Sequence, residues 1–104
     1  MAMMMKMTYH AQVERIDRLV ACIECLGVGE VILETEFKDA RLRLTSTGLC
    51  LVMDRHGEKL ITGYMCPIDR CMAMYHSNGY EKVPDAIYKT VIRNNKKYKF
   101  LLQM

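Results

Sequence analysis

The sequence predicts an α+β fold in which an N-terminal helix precedes a four-stranded antiparallel meander and two C-terminal helices follow it. Apolar residues first recur at helical spacing, then alternate with polar residues through the middle of the chain, and then recur at helical spacing twice more. Helices and strands that are segregated along the chain in this way are typical of α+β proteins. We expect the helices to cover one face of the sheet.

Length and composition indicate one compact domain. The chain has 104 residues, of which 51% are apolar. Its apolar runs are about five residues long, against the roughly 20 that a membrane-spanning helix requires. We therefore expect no membrane partner. Residues 1–7 hold five methionines and one lysine, and we expect a disordered start there, followed by a single domain over residues 8–104.

The first helix is predicted to begin after Thr8, a residue type favoured at helix N-termini, and to end at Gly27 and Gly29. One apolar stripe about four turns long would face the core. Its members are Tyr9, Val13, Ile16, Val20 and Ile23.

Alternating residues from Glu30 to Phe37 predict the first strand, and a two-residue turn at Lys38–Asp39 would start the second. This turn sets a register in which apolar residues face each other on one side and opposite charges on the other. The predicted pairs are Leu33 with Leu44, Thr35 with Leu42, Glu34 with Arg43, and Glu36 with Arg41.

The third strand is the centre of the predicted sheet. Leu49–Met53 contains five consecutive apolar residues, which is typical of a strand buried on both faces. His56–Gly57 would turn the chain, because glycine readily adopts the positive φ of tight hairpins. The β-formers Leu60–Thr62 then continue as the fourth strand.

Pro67 and Pro84 are each expected to open a helix, and Asn78–Gly79 to end the first of the two. The core-facing stripes are predicted as Ile68, Cys71, Met72 and Tyr75, and as Ile87, Tyr88, Val91 and Ile92. Lys89, Arg93 and Lys96–Lys97 would then lie on the solvent side of the last helix or just beyond its end.

A helix that carries His10–Ala11, followed by a meander that ends in Leu60–Tyr64, resembles the small barnase/RelE-like ribonuclease toxins of phages and mobile elements. The resemblance covers residues 8–65. It implies an endoribonuclease that needs no metal. Cleavage through the 2′-hydroxyl of RNA requires a base, an acid and a cation. The residues that could supply them here are His10, Arg15, Thr62 and Tyr64, but this set is incomplete.

Five cysteines offer a second kind of site. An odd number without a signal peptide favours reduced thiols and a cytoplasmic location. Cys22 and Cys25, with Cys66 and Cys71, have the pairwise spacing of a tetrahedral structural zinc site. Because the end of the first helix and the start of the second meet at one end of the meander, the four could converge. Reduced buried thiols and a redox role for Cys22 and Cys25 stay open as alternatives.

Positive charge is concentrated at the C-terminus. Residues 82–104 contain six Lys or Arg against one Asp, a net charge of +5, whereas residues 1–81 contain nine against eleven, a net charge of −2. Tyrosines are interleaved with these cations, a combination that suits nucleic acid. The predicted contact residues are Lys82, Lys89, Arg93, Lys96, Lys97, Tyr98 and Lys99.

Three functions follow from these features. The favoured one is a non-enzymatic module of phage or mobile-element type that docks on a nucleic-acid enzyme or ribonucleoprotein, for example as an inhibitor of a host defence nuclease of the CRISPR type. The alternatives are the toxin-type endoribonuclease and an RNA-binding module. In none of them do we expect a small-molecule substrate.

Overall fold

A computed structural model describes residues 6–7 and 16–102. Its centre is a five-stranded sheet of order β1-β5-β4-β3-β2. The strands are β1 (Lys6–Met7), β2 (Val31–Phe37), β3 (Ala40–Thr45), β4 (Leu49–Asp54) and β5 (Lys59–Met65). β2 to β5 form the predicted antiparallel meander. β1, which lies in the segment where a disordered start was expected, pairs in parallel with β5, and residues 1–5 lie outside the described part.

The register of the first hairpin was predicted correctly. All four expected cross-strand pairs occur, namely Leu33 with Leu44, Thr35 with Leu42, Glu34 with Arg43, and Glu36 with Arg41. The charged pairs point to one side, where Glu34 accepts hydrogen bonds from Arg41 and Arg43 at 3.0 and 2.5 Å. Both arginine side chains are partly buried. The arginines of β3 are therefore neutralised locally.

Among the described residues, three α-helices surround the sheet: α1 (Ile16–Leu26), α2 (Ile68–Ser77) and α3 (Asp85–Lys97), followed by a 3₁₀ helix over Lys99–Leu102. The predicted α+β order of helix, meander and two helices is confirmed. Pro67 and Pro84 directly precede α2 and α3, as expected. Thr8, Tyr9 and Val13, which were placed in the first helix, lie outside the described residues. No helix in the described ranges has the length and apolar character needed to span a membrane.

The sheet is covered on both faces, and the expected one-sided cover was wrong. Leu49, Leu51 and Met53 of β4 pack with α1 and the 3₁₀ helix. The intervening Cys50 and Val52 pack on the other side with α2 and α3. Because successive side chains of a strand point to opposite faces, the apolar run of β4 is shared between two separate cores.

The face that α1 turns to the sheet differs from the predicted stripe. Leu19 and Cys22 are buried, while Val20 and Ile23 are 42% and 38% exposed. Gly63 of β5 explains this orientation, since a Cβ at that position would lie 2.7 Å from Leu19 Cδ1. The missing side chain lets the helix approach the strand through Leu19.

Two stripe residues of the C-terminal helices are also exposed, contrary to prediction. Met72 of α2 is 39% exposed and Tyr88 of α3 is 45% exposed. Met74 is buried in α2, and Val91 and Asn94 are the buried residues of α3. Both helices are therefore rotated from their predicted orientation, so that Met72 and Tyr88 border a cleft between them.

Candidate functional site

The predicted catalytic residues of β5 lie side by side but form no acid–base system among the described residues. Thr62 is buried, and its Oγ1 has no hydrogen-bond partner in the described structure. The Tyr64 hydroxyl accepts a hydrogen bond from Arg70 Nη1 at 3.0 Å. Burial raises the pKa of Tyr64 well above its usual value of 10, so Tyr64 is protonated at neutral pH and is unsuited as a base. His10 and Arg15 lie outside the described residues.

Arg70 was not identified from the sequence. Its guanidinium group lies over two aromatic rings, 5.9 Å from the centroid of Tyr64 and 5.6 Å from that of Phe37. This arrangement joins α2 to the outer strand β2. Only the folded chain brings these residues together, so no local pattern could have predicted the contact.

The four predicted zinc ligands do not converge. Cys22 and Cys25 belong to the core on the α1 side of the sheet, whereas Cys66 and Cys71 belong to the core on the α2 side. Within residues 6–7 and 16–102, no group of three or more potential ligands could hold a metal ion. The two pairs lie near one end of the meander, but the sheet separates them, so the described structure does not bring the four cysteines together.

The surroundings of Cys66 and Cys71 favour protonated thiols. Burial raises the pKa of Cys71 from 9.0 to about 11. A hydrogen bond with Cys50 raises the pKa of Cys66 further. Cys66 and Cys71 are therefore neutral, buried thiols.

The cations of α3 are exposed, as predicted. Lys89, Arg93, Lys96 and Lys97 of α3, and Lys99 of the following 3₁₀ helix, are all exposed. In the described part of the chain none of the five makes an ion pair, in contrast to Arg41 and Arg43 of β3. Because Lys89, Arg93 and Lys97 recur every four residues, they place one charge about every 6 Å along the helix. We call these five residues the α3 basic face.

Aromatic rings adjoin the end of the α3 basic face. Lys97 Nζ lies 5.4 Å from the ring centroid of Tyr98. Phe100, which the sequence did not single out, is 58% exposed and packs edge-on against Tyr98 with centroids 6.4 Å apart. Exposed rings next to cations are suited to stacking on nucleic-acid bases.

Lys82 stands apart from the α3 basic face. It borders a cavity of about 450 Å³ between α2 and α3, together with the exposed Met72 and Tyr88. His76 Nε2 lies 3.0 Å from the backbone oxygen of Glu81 at the same cavity. The predicted contact cations therefore fall into two groups, the α3 basic face and the isolated Lys82.

Two asparagines position α3, and the sequence did not identify them. Asn94 Nδ2 donates a hydrogen bond to the Thr47 carbonyl at 2.7 Å. Asn95 accepts a hydrogen bond from the Ile68 N–H and donates one to the Cys66 carbonyl, both at 2.9 Å. These contacts fix the helix against the turn between β3 and β4 and against the start of α2.

Comparisons of the chain with protein-family models, with curated proteins and with solved structures find no match.

Proposed function

We propose that the protein is a non-enzymatic binding module that docks on a nucleic-acid enzyme or ribonucleoprotein through the α3 basic face. The observation that carries the proposal is the contrast between two sets of cations. Arg41 and Arg43 are held by Glu34, whereas the α3 basic face has no ion-pair partner among the described residues. Cations without partners on a rigid helix attract polyanions and gain affinity by releasing counterions.

The partner expected from this chemistry is a complex that carries RNA or an acidic surface, such as a host defence nuclease of the CRISPR type. Electrostatic attraction accelerates such encounters and selects partners of opposite charge. The Asn94 and Asn95 hydrogen bonds support the proposal, since they hold α3 in one orientation. A preorganised surface loses less entropy on binding than a mobile tail does.

RNA binding without a protein partner is a second candidate, favoured by Tyr98 and Phe100 beside Lys97 and Lys99. Rings of this kind can stack on unpaired bases regardless of sequence. The toxin-type endoribonuclease has less support. Its candidate Tyr64 is protonated and already engaged by Arg70.

The proposal is tested by expressing the tagged protein in a bacterial host and capturing it at low and at high salt, with and without ribonuclease treatment. We expect the host to grow normally and the captured protein to retain a partner at low salt that it loses as the salt concentration rises. Loss on ribonuclease treatment indicates contact through RNA, and persistence indicates an acidic protein surface. Growth arrest that His10→Ala relieves would favour the toxin instead, and salt-independent retention would contradict docking through charge.

A further inference from the structure

A polar cavity of about 290 Å³ opens beside the α3 basic face. Three segments enclose it: the C-terminal end of α1, the turn between β3 and β4, and the last two turns of α3. Hydrogen bonds join these segments, since Thr47 Oγ1 donates to the Gly27 carbonyl at 2.9 Å and Asn94 Nδ2 donates to the Thr47 carbonyl at 2.7 Å. The cavity is therefore formed before any ligand arrives.

The cavity presents hydrogen-bond donors that the protein does not use. Ser46 Oγ accepts a hydrogen bond from the Glu30 N–H at 3.0 Å, which leaves the Ser46 hydroxyl proton available. In the described structure no hydrogen bond engages the Thr90 hydroxyl or the Arg93 guanidinium group. Hydroxyl and guanidinium donors that line one cavity match the acceptor oxygens of a phosphate.

The charge at the cavity is positive. Arg93 lines it, and no acidic residue of the described part of the chain does. Lys89 and Lys97 lie one turn before and one turn after Arg93 on the same helix. A phosphate in the cavity would thus be flanked on both sides by further cations.

The remaining wall is aromatic. Tyr98 lines the cavity, and the exposed Phe100 packs against it. A carboxylate of an acidic protein would have no use for these rings, whereas a nucleotide has a base that can stack on them. The aromatic wall therefore favours a nucleic-acid strand over an acidic peptide.

The geometry points to this cavity as a phosphate subsite for single-stranded RNA, in which Arg93 and the hydroxyls of Ser46 and Thr90 hold one phosphate group and the adjacent base contacts Tyr98 and Phe100. The inference rests on the proposed function, because the α3 basic face guides the strand to the cavity. It adds a defined phosphate position to an otherwise sequence-independent electrostatic contact.

The test measures binding of the full chain to a fluorescein-labelled oligouridylate of about ten nucleotides, a length within the usual range for such sites. Thr90→Val removes one donor at constant charge and nearly constant shape. Arg93→Gln removes the cavity cation, and Lys89→Gln removes a matched cation of the same helix that does not line the cavity. Fluorescence anisotropy over a salt series gives the affinity and its salt dependence.

We expect Thr90→Val to weaken binding roughly fivefold without changing the salt slope, because it removes a hydrogen bond to a charged group but no counterion release. Arg93→Gln should weaken binding more than tenfold and Lys89→Gln about threefold, since only Arg93 combines charge with directed donors. Amide resonances of Ser46, Thr47 and Thr90 in the wild-type protein should shift on titration with the oligouridylate. That measurement needs no variant.

Equal losses for Arg93→Gln and Lys89→Gln, with wild-type affinity for Thr90→Val, would overturn the subsite and leave the basic face as a diffuse contact. An absence of oligouridylate binding by the wild-type protein would also overturn it. In that case salt-sensitive capture of a protein partner would still support the proposed function, so the two ideas can fail separately. Inorganic phosphate is the competitor that distinguishes a subsite for an RNA strand from a site for free phosphate. At a subsite for a strand, inorganic phosphate should compete only weakly with the oligouridylate.

Discussion

Asn95 is predicted to be a main anchor of the surface that we propose for docking. Its amide makes two hydrogen bonds of 2.9 Å, one with the first N–H of α2 and one with the carbonyl of Cys66. The N–H of Ile68 has no partner within its own helix, as is usual for the first residues of a helix. Asn95→Ala therefore leaves a donor and an acceptor without partners where α2 and α3 meet.

The size of the effect follows from these contacts. Each hydrogen bond contributes about 1 kcal/mol net, so the two together contribute about 2 kcal/mol. Alanine has a higher helix propensity than asparagine, which offsets about 0.5 kcal/mol of this loss. The expected loss in the free energy of unfolding is about 1.5 kcal/mol, which corresponds to a fall in Tm of about 6 °C for a chain of this length.

Urea denaturation followed by circular dichroism measures this loss. Lys96→Ala is the matched control, because Lys96 is the exposed neighbour of Asn95 and should change stability by less than about 0.5 kcal/mol. Hydrogen exchange would add a local measure, since amides of α3 should lose protection before those of β3 and β4. If Asn95→Ala proves as stable as Lys96→Ala, the two hydrogen bonds do not hold α3 in place.

Three further predictions concern stability and composition. Hydrogen bonds from Arg43 and Arg41 hold the pKa of Glu34 below its ordinary 4.5. The stability that the charged Glu34 contributes is therefore complete above pH 4.5, and it is lost as the pH falls through the lower pKa of the folded state. In Glu34→Gln the free energy of unfolding, measured against pH, should therefore fall less on the acid side. An unchanged pH profile would show that the hydrogen bonds from Arg41 and Arg43 do not stabilise the charged Glu34. Gly63→Ala should lower the free energy of unfolding by about 1 to 3 kcal/mol, because the new methyl group meets Leu19; a wild-type urea midpoint would contradict that packing. Elemental analysis of protein purified without chelator should find no stoichiometric zinc, and one equivalent would refute the separation of the cysteine pairs.

The strand register could be predicted because local information determines it. A two-residue turn at Lys38–Asp39 leaves only one pairing that matches charges on one side and apolar residues on the other. The structure has that pairing. Helix limits at Pro67, Pro84 and Gly27 were likewise predictable, since proline and glycine constrain the backbone directly.

The orientation of each helix could not be predicted in the same way. α1 carries apolar residues around much of its surface, so Val20 and Leu19 were both plausible core residues by spacing alone. The choice depends on Gly63, which is distant in sequence and becomes a neighbour only after folding. The same limit explains the predicted zinc site, because topology brought the cysteines to one sheet end but did not assign their faces.

Only part of the candidate site could be predicted from the sequence. The cations of α3 could be placed because an apolar stripe leaves the opposite side of a helix to solvent. Thr90 and Asn94 were not identified, since their roles depend on the turn at Ser46–Thr47. Phe100 was not singled out, because an apolar run gives no indication of which member stays exposed.

The central claim is that the position of the charge, and not its amount, determines docking. Two triple variants change the net charge equally, one on α3 and the other at or beside the β2–β3 and β4–β5 turns. One carries Lys89→Glu, Arg93→Glu and Lys96→Glu, and the other carries Lys38→Glu, Arg55→Glu and Lys59→Glu. All six residues are exposed, so both variants should fold.

The decisive measurement is the amount of RNA and protein that each variant retains from a host lysate at low salt, relative to the wild-type protein. The account predicts that the α3 variant loses about tenfold or more of the retained partner, because several counterion-releasing contacts are removed together. The control variant should retain most of it. Equal retention by the two variants would contradict the account.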